Sequence, residues 1–167
     1  AVEGTTFSPI PTGLAEVEIG GPDWSIDSHY YHLLESGEIL VTARRGSVET
    51  LHLLDGKGGQ RLLDTGAVAY SSLAVDGDRL YVTAGFAEQP SALIAMDRQG
   101  KIVEVLRRSK DRGLEEPWVP GIQQISFPVP GGAVAHGVYL APRNPDVVAP
   151  EGKAPPLIVS VHGGPTA

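Results

Sequence analysis

The chain has 167 residues and a formal net charge of −7, with 20 acidic and 13 basic side chains. This balance argues against nucleic acid or an anionic membrane surface as a partner, because both bind basic surfaces. The absence of cysteine excludes disulfides, thiolate catalysis and cysteine-based zinc sites. No apolar stretch approaches the roughly 20 residues of a membrane helix, and residues 1–4 do not resemble a signal peptide. The absence of cysteine suits both the cytosol and the exterior, whereas the lack of a visible signal peptide or membrane segment favours a cytoplasmic location.

A weak internal repeat of about 41 residues occupies the first part of the chain. The run 38–43 is similar to 79–84, and 53–55 is similar to 95–97. Each copy divides into four strand-like runs separated by Ser-Gly, Asp-Gly or Gln-Gly turns. The predicted strands are 30–34, 38–43, 48–54 and 60–63 in the first copy, and 68–75, 79–84, 91–96 and 101–106 in the second.

Four short strands per 40–45 residues are typical of a β-propeller blade. An antiparallel meander in a sandwich or barrel is the alternative. Two blades cannot close a ring, so residues 1–116 are interpreted as a partial β-propeller, its last two blades. A helix competes with the strand prediction only over 101–116, where alternating apolar residues, Gly113 and Pro117 weigh against it.

Residues 117–167 are interpreted as a connector followed by the start of an α/β-hydrolase domain. Two runs, 122–127 and 133–140, flank a Pro-Gly-Gly turn and predict a hairpin. A Pro- and Asn-containing loop, 141–153, precedes the run Leu157–Val161, which has the composition of a strand buried on both faces. The predicted fold class is thus mainly β: two four-stranded blades, then the opening strands of an α/β-hydrolase.

The sequence His162-Gly163-Gly164-Pro165 follows that predicted strand. A strand followed by such a turn supplies one backbone N–H of the oxyanion hole in α/β-hydrolases. A plain tight turn is the simpler interpretation of the two glycines. The nucleophile elbow G-x-S-x-G of that fold occurs nowhere in the 167 residues, so we interpret the chain as an internal piece of a larger hydrolase.

The stretch Gly152–Thr166 closely resembles the prolyl oligopeptidase family of serine peptidases. Its acylaminoacyl-peptidase and dipeptidyl-aminopeptidase branch is the most similar. The preceding Ile125-Ser126-Phe127 and His136-Gly137-Val138-Tyr139 also resemble that family's entry into its hydrolase domain, and the repeats and Trp24 are similar to its propeller.

This resemblance implies a large enzyme that hydrolyses short peptides or N-blocked amino acids through an acyl-enzyme. It assigns the oxyanion N–H to Gly164, the turn conformation to Gly163, and a pocket-lining role that orders the turn to His162. The catalytic triad would lie beyond Ala167, so the chain alone is predicted to be inactive. No cofactor or metal is implied, and copies of the chain could associate through an open sheet face.

Other candidate residues have simpler interpretations as structural or surface groups. Glu115-Glu116 resembles a glutamate pair that binds a substrate amine, but its context indicates a solvated linker. The histidines His29, His32 and His52 lack metal-ligand spacing. Arg44-Arg45 is interpreted as a surface turn rather than a carboxylate clamp, and Trp24, Tyr30 and Tyr31 as packing aromatics.

Two other functions are compatible with the same residues. The chain could belong to a β-propeller interaction module whose C-terminal part only resembles a hydrolase, or to an esterase of the α/β-hydrolase class. The sequence that follows Ala167 distinguishes these possibilities, because a downstream G-x-S-x-G motif identifies a hydrolase.

Overall fold

A computed structural model describes residues 8–21, 29–109 and 115–161, and within them the chain is mainly β. Two antiparallel sheets, here named sheet A and sheet B, are followed by a two-stranded hairpin. No helix in these ranges is long and apolar enough to cross a membrane. The mainly β class predicted from the sequence is confirmed.

Sheet A is formed by the first copy of the repeat and the residues before it. Its strands are β1 (Glu18–Ile19), β2 (Tyr31–Leu33), β3 (Ile39–Arg45), β4 (Val48–Leu54) and β5 (Gln60–Leu62). Both β1 and β2 pair with the same edge of β3, with Glu18 opposite Arg44 and Tyr31 opposite Val41. The two short strands therefore share one edge, and sheet A is four strands wide.

Sheet B is formed by the second copy of the repeat. Its strands are β6 (Ala69–Asp76), β7 (Arg79–Gly85), β8 (Ala92–Met96) and β9 (Ile102–Arg108), paired in that order. The register of β6 against β7 shifts between Ser71 and Ala74, and Ser72 within this bulge has φ 54°. The first part of the segment for which a helix competed, 102–108, is thus strand β9, as its alternating apolar residues indicated, and residues 110–114 lie outside the described residues.

Equivalent aspartates close the last turn of each sheet, which supports the repeat read from the sequence. The Asp55 carboxylate accepts hydrogen bonds from the backbone N–H groups of Lys57 and Gly59, at 2.7 and 2.8 Å. Asp97 accepts them from Gln99 and Lys101, both at 2.9 Å. The donated backbone hydrogen bonds lower the pKa of Asp55, because they stabilise its ionised form.

One apolar core fills the space between the two sheets. Leu40, Leu51 and Leu63 from the first copy and Leu80 and Ile94 from the second are fully buried. Each fully buried side chain of this size contributes about 1.5–3 kcal/mol through the hydrophobic effect. Leu34, Leu53, Leu73, Val82, Ala84, Ala92 and Met96 complete the cluster.

The main chain also joins the sheets at one end. Val68 donates its N–H to the carbonyl of Gly85 in sheet B, at 2.8 Å, and its own carbonyl accepts the N–H of Glu49 in sheet A, at 2.9 Å. The Glu49 carboxylate accepts the N–H of Tyr70, at 2.8 Å. We name this end, with turn 45–48 and loop 86–91, the Val68 end. The opposite end, with turns 34–38, 55–59, 76–79 and 97–101, is the Arg98 end.

The hairpin lies near the Val68 end. A short 3-10 helix, Glu116–Trp118, leads to β10 (Ile122–Pro128) and β11 (Val134–Leu140), which pair along their whole length. A Cβ placed on Gly46 would lie 3.3 Å from Oε1 of Gln124, so the hairpin approaches turn 45–48. An isolated two-stranded hairpin is only marginally stable in water, and this one exposes apolar side chains on both faces.

The prediction that Leu157–Val161 forms a buried strand is wrong for this chain. These residues form no strand, and Ile158 and Val161 are 91% and 81% exposed. A strand buried on both faces needs neighbouring strands to pair with and layers to cover it. Within the described residues no other segment provides that pairing, so the sequence preference of this run is not realised.

Gly100 is required by the core as well as by its turn. Its φ is +87°, and an added Cβ would lie 2.9 Å from Cα of Leu63. We expect Gly100→Ala to lower the free energy of unfolding by about 2–5 kcal/mol, from a left-handed backbone of about 1–2 kcal/mol and forced packing of about 1–3 kcal/mol. Urea denaturation measures the change.

The matched control is Gly77→Ala, because Gly77 has φ +56° but open space around its Cβ position. Only the backbone contribution of about 1–2 kcal/mol should be lost there. Equal losses in the two variants would contradict the close packing of Leu63 on the Gly100 turn.

Candidate functional site

The predicted oxyanion turn, His162, Gly163 and Gly164, lies outside the described residues, and so does Trp24. The last described residue, Val161, is exposed and belongs to no strand. The role of the turn therefore stays a prediction. The described residues contain other groups that could contact a ligand, and they concentrate at the Val68 end.

An open cleft of about 390 Å³ lies between sheet B and the segment that leads to the hairpin. Its acidic groups come from separate parts of the chain, Glu88 from loop 86–91 and Glu116 from the 3-10 helix. Of the predicted pair Glu115-Glu116, only Glu116 lines this cleft. The remaining lining residues are Gly66, Phe86, Ala87 and Gln89. The carboxylates and the aromatic ring of Phe86 suit a cationic group better than an anionic one.

A second open cleft of similar size, also about 390 Å³, lies beside β1 and contains the predicted Arg44-Arg45 pair. Arg44 forms an ion pair with Glu49 within sheet A, and this hydrogen-bonded contact raises the pKa of Arg44. Arg45 donates to the carbonyl of Ala15, at 2.6 Å. Both guanidinium groups therefore have partners within the protein, in agreement with their interpretation as surface-turn residues.

The three histidines considered as metal ligands differ in environment. His52 is buried, with Nδ1 at 2.9 Å from Oε1 of Gln60 and Nε2 at 2.9 Å from Oγ1 of Thr50. His29 is exposed and His32 is half-buried. No group of three or more potential ligands is present among residues 8–21, 29–109 and 115–161. His52 is thus a structural residue of sheet A.

The prediction that Tyr30 and Tyr31 pack inside the fold is only partly confirmed. Tyr31 is 67% exposed, so it is not a packing residue in this chain, whereas Tyr30 is half-buried beside Gly21. The aromatic side chains that do pack on the core are Tyr70 and Phe86. Tyr70 shares a hydrogen bond of 2.6 Å with Thr65, and burial raises its pKa. Sequence reasoning missed both, because their burial depends on the core that forms between the two sheets.

A serine–histidine pair is present on the hairpin, where the sequence analysis had not singled it out as a site. Ser126 Oγ and His136 Nδ1 are 2.8 Å apart, and the residues face each other across β10 and β11. The register alone could have suggested this pair once the hairpin was predicted. The hydrogen bond is exposed to solvent. No third group orients the histidine among the described residues, so the pair lacks the arrangement of a catalytic triad.

Comparisons with known proteins connect this fold to peptidases. A puromycin-hydrolysing peptidase of Mycobacterium tuberculosis matches 86% of this chain with 26% identity and a TM-score of 0.78. A puromycin hydrolase matches 89% with 22% identity and a TM-score of 0.78. A mutant of puromycin hydrolase in complex with PGG matches 86% with 23% identity and a TM-score of 0.75.

Each match spans only 22% of the structure compared, so this chain corresponds to about a fifth of those proteins. No protein-family model matches the sequence, and no curated protein matches it significantly. The comparisons thus support a peptidase-related chain that shares the mainly β part of these enzymes.

The Thr50 hydroxyl links the side chain of His52 to the neighbouring strand. Its Oγ1 lies 2.9 Å from Nε2 of His52 and 3.1 Å from the carbonyl oxygen of Ala43. We expect Thr50→Val, which keeps the shape but removes the hydroxyl, to lower the free energy of unfolding by about 1–3 kcal/mol. Thr50→Ser, which keeps the hydroxyl, should lose less. Denaturant titration compares them, and equal losses would contradict this network.

Proposed function

We propose that this chain is part of a serine peptidase of the prolyl oligopeptidase family. The observation that carries the proposal is the match to a peptidase with 26% identity over 86% of the chain. The resemblance of residues 125–166 to that family supports the same conclusion independently of the fold. Because the chain spans about a fifth of the matched structures, the activity is proposed for the longer protein that contains it.

The way in which the sheets stack supports the propeller interpretation. Val82, Ala84 and Met96 of sheet B lie in the core that it shares with sheet A. Their repeat equivalents Val41, Ala43 and Leu54 are also buried, but on the opposite face of sheet A, outside that core. Equivalent residues therefore point in the same direction in both sheets, and the sheets stack head to tail rather than face to face.

In head-to-tail stacking the two outermost faces of the pair are unlike, so a further sheet could continue the same packing on either side. Such heterologous interfaces form rings when the rotation between units closes. The outer face of sheet A also carries Tyr31 and Leu33, which are 67% and 65% exposed. We therefore interpret residues 1–116 as two consecutive blades of a propeller, and we assign residues 117–167 to the connector and the start of the hydrolase domain.

The chemical contribution of this chain would come from residues after Val161. Gly164 would donate its backbone N–H to the oxyanion of the tetrahedral intermediate, Gly163 would allow the turn, and His162 would line the pocket. The nucleophile, acid and base would come from the rest of the protein, through an acyl-enzyme mechanism. The proposed substrates are short peptides or N-blocked amino acids. The matched enzymes hydrolyse puromycin, and we do not extend that substrate to this chain.

A fluorophosphonate probe tests the proposal directly, because it labels activated serines. We expect the longer protein to be labelled and the isolated 17.6 kDa chain to remain unlabelled and inactive, as measured by intact mass. Labelling of the isolated chain would contradict the assignment of the nucleophile to another part of the protein. An unlabelled, folded longer protein would instead favour the interaction-module alternative.

Gly164→Pro in the longer protein removes the proposed oxyanion donor, since proline has no backbone N–H. We expect kcat to fall by about 10²–10³, the usual effect of removing one oxyanion donor. Gly164→Ala keeps the N–H and serves as the matched control. Turnover of Gly164→Pro close to that of the unmodified enzyme, measured with a chromogenic peptide, would refute the assignment.

A further inference from the structure

The two ends of the sheet pair are held together in different ways. At the Val68 end the chain passes covalently from β5 to β6, and main-chain hydrogen bonds link Glu49, Val68 and Gly85. At the Arg98 end, within the described residues, side chains alone provide the polar contacts between the sheets. This asymmetry implies a side fixed by the main chain and a side held by a few polar side chains together with the packing of the Gly100 turn on Leu63.

Arg98 is the centre of those polar contacts. It projects from turn 97–101 of sheet B, and its Nη1 lies 3.1 Å from Oγ of Ser36 and 3.5 Å from Oε2 of Glu38, both in sheet A. Its Nη2 donates to the carbonyl of Gly77, at 3.3 Å. Its Nε lies 3.1 Å from Oδ1 of Asp78, without the alignment of a hydrogen bond.

A second arginine completes the contact from the other side. Arg61 of sheet A donates to the backbone carbonyl of Arg98 and lies 3.7 Å from Oε1 of Glu38. Glu38 therefore lies between two guanidinium groups, one from each sheet. The side chains of Arg98 and Glu38 are only 22% and 33% exposed, so solvent screens this cluster less than a fully exposed ion pair.

We propose that Arg98 acts as a clasp that sets the angle between sheets A and B, with Val68 as the fixed side. When the clasp is released, the sheets change their angle at the Arg98 end, and the shared apolar core limits this change and prevents separation. The Val68 end keeps its geometry, because its contacts are covalent and main-chain. Both clefts and the approach of the hairpin lie at that end, so the motion would be confined to the side remote from them.

The proposal depends on the fork shape of the guanidinium as well as on its charge. Arg98 reaches acceptors on two different turns with separate nitrogens, and two of these acceptors, Ser36 Oγ and Gly77 O, are neutral. A lysine ammonium keeps the charge but lacks the planar fork. Arg98→Lys should therefore release the clasp while it leaves the net charge of the protein unchanged.

The 167 residues contain no cysteine, so pairs of spin labels can be placed in this chain without background. One pair, Lys57→Cys with Gln99→Cys, spans the sheets at the Arg98 end, and another, Ser47→Cys with Gln89→Cys, spans them at the Val68 end. All four positions are exposed. Pulsed electron paramagnetic resonance then gives the distance distribution at each end.

We expect Arg98→Lys to broaden the distribution at the Arg98 end and add longer distances, while the distribution at the Val68 end is unchanged. Glu38→Gln, a second variant, should change the same end in the same direction. Arg79→Lys is the matched control, because Arg79 pairs at 3.7 Å with Glu104 inside sheet B alone, and it should change neither end.

Three results would overturn the proposal. Unchanged distances in both Arg98→Lys and Glu38→Gln would show that the core alone fixes the angle. Equal broadening at both ends would indicate general destabilisation rather than a clasp. The same broadening in Arg79→Lys would show that any loss of an arginine near this end is sufficient. The inference concerns only the two sheets and does not depend on the proposed peptidase activity.

Discussion

The burial of one apolar face of each sheet against the other is the constraint on which the rest of this structure depends. Most of the buried apolar side chains of the described residues lie in the core between the sheets, so this core supplies most of the hydrophobic stabilisation. Leu63, in the crossover between the sheets, is fully buried in that core, and the turn at Gly100 packs directly on its backbone. The connection between the repeats is therefore part of the core.

The two sheets contribute non-equivalent faces to this core. If equivalent residues of the two copies met in it, the pair would be symmetric and complete. Instead the core takes Leu53 from the first copy and Met96 from the second, while their counterparts Ala95 and Leu54 are buried on the outer faces. A contact between unlike faces can be repeated by adding another sheet on either side. This property of the packing, more than the number of strands, is what favours a propeller over a two-sheet sandwich.

The sequence predicted the elements whose signals are local, and it failed where the structure depends on distant partners. The strands of both repeats were found because alternating apolar residues and turns such as Asp76-Gly77 are local features. The strand predicted at Leu157–Val161 does not form, because a run of this composition becomes a buried strand only where neighbouring strands are present to pair with it. The first cleft was missed because Gly66, Phe86 and Glu116 meet only in the folded chain. The predicted oxyanion turn lies outside the described residues, so the structure leaves it as a prediction.

The exposed run before that turn explains why the proposed activity requires the longer protein. An oxyanion donor acts only if its N–H is held within about 0.5 Å of the productive geometry. A turn gains that accuracy from the strand that precedes it, and Leu157–Val161 has neither strand pairing nor cover in this chain. The sheets show the opposite case, since Val68 is fixed by main-chain hydrogen bonds on both sides. The proposed oxyanion turn would therefore need strands from elsewhere in a longer protein to complete its geometry, whereas the two sheets are held together by contacts within this chain.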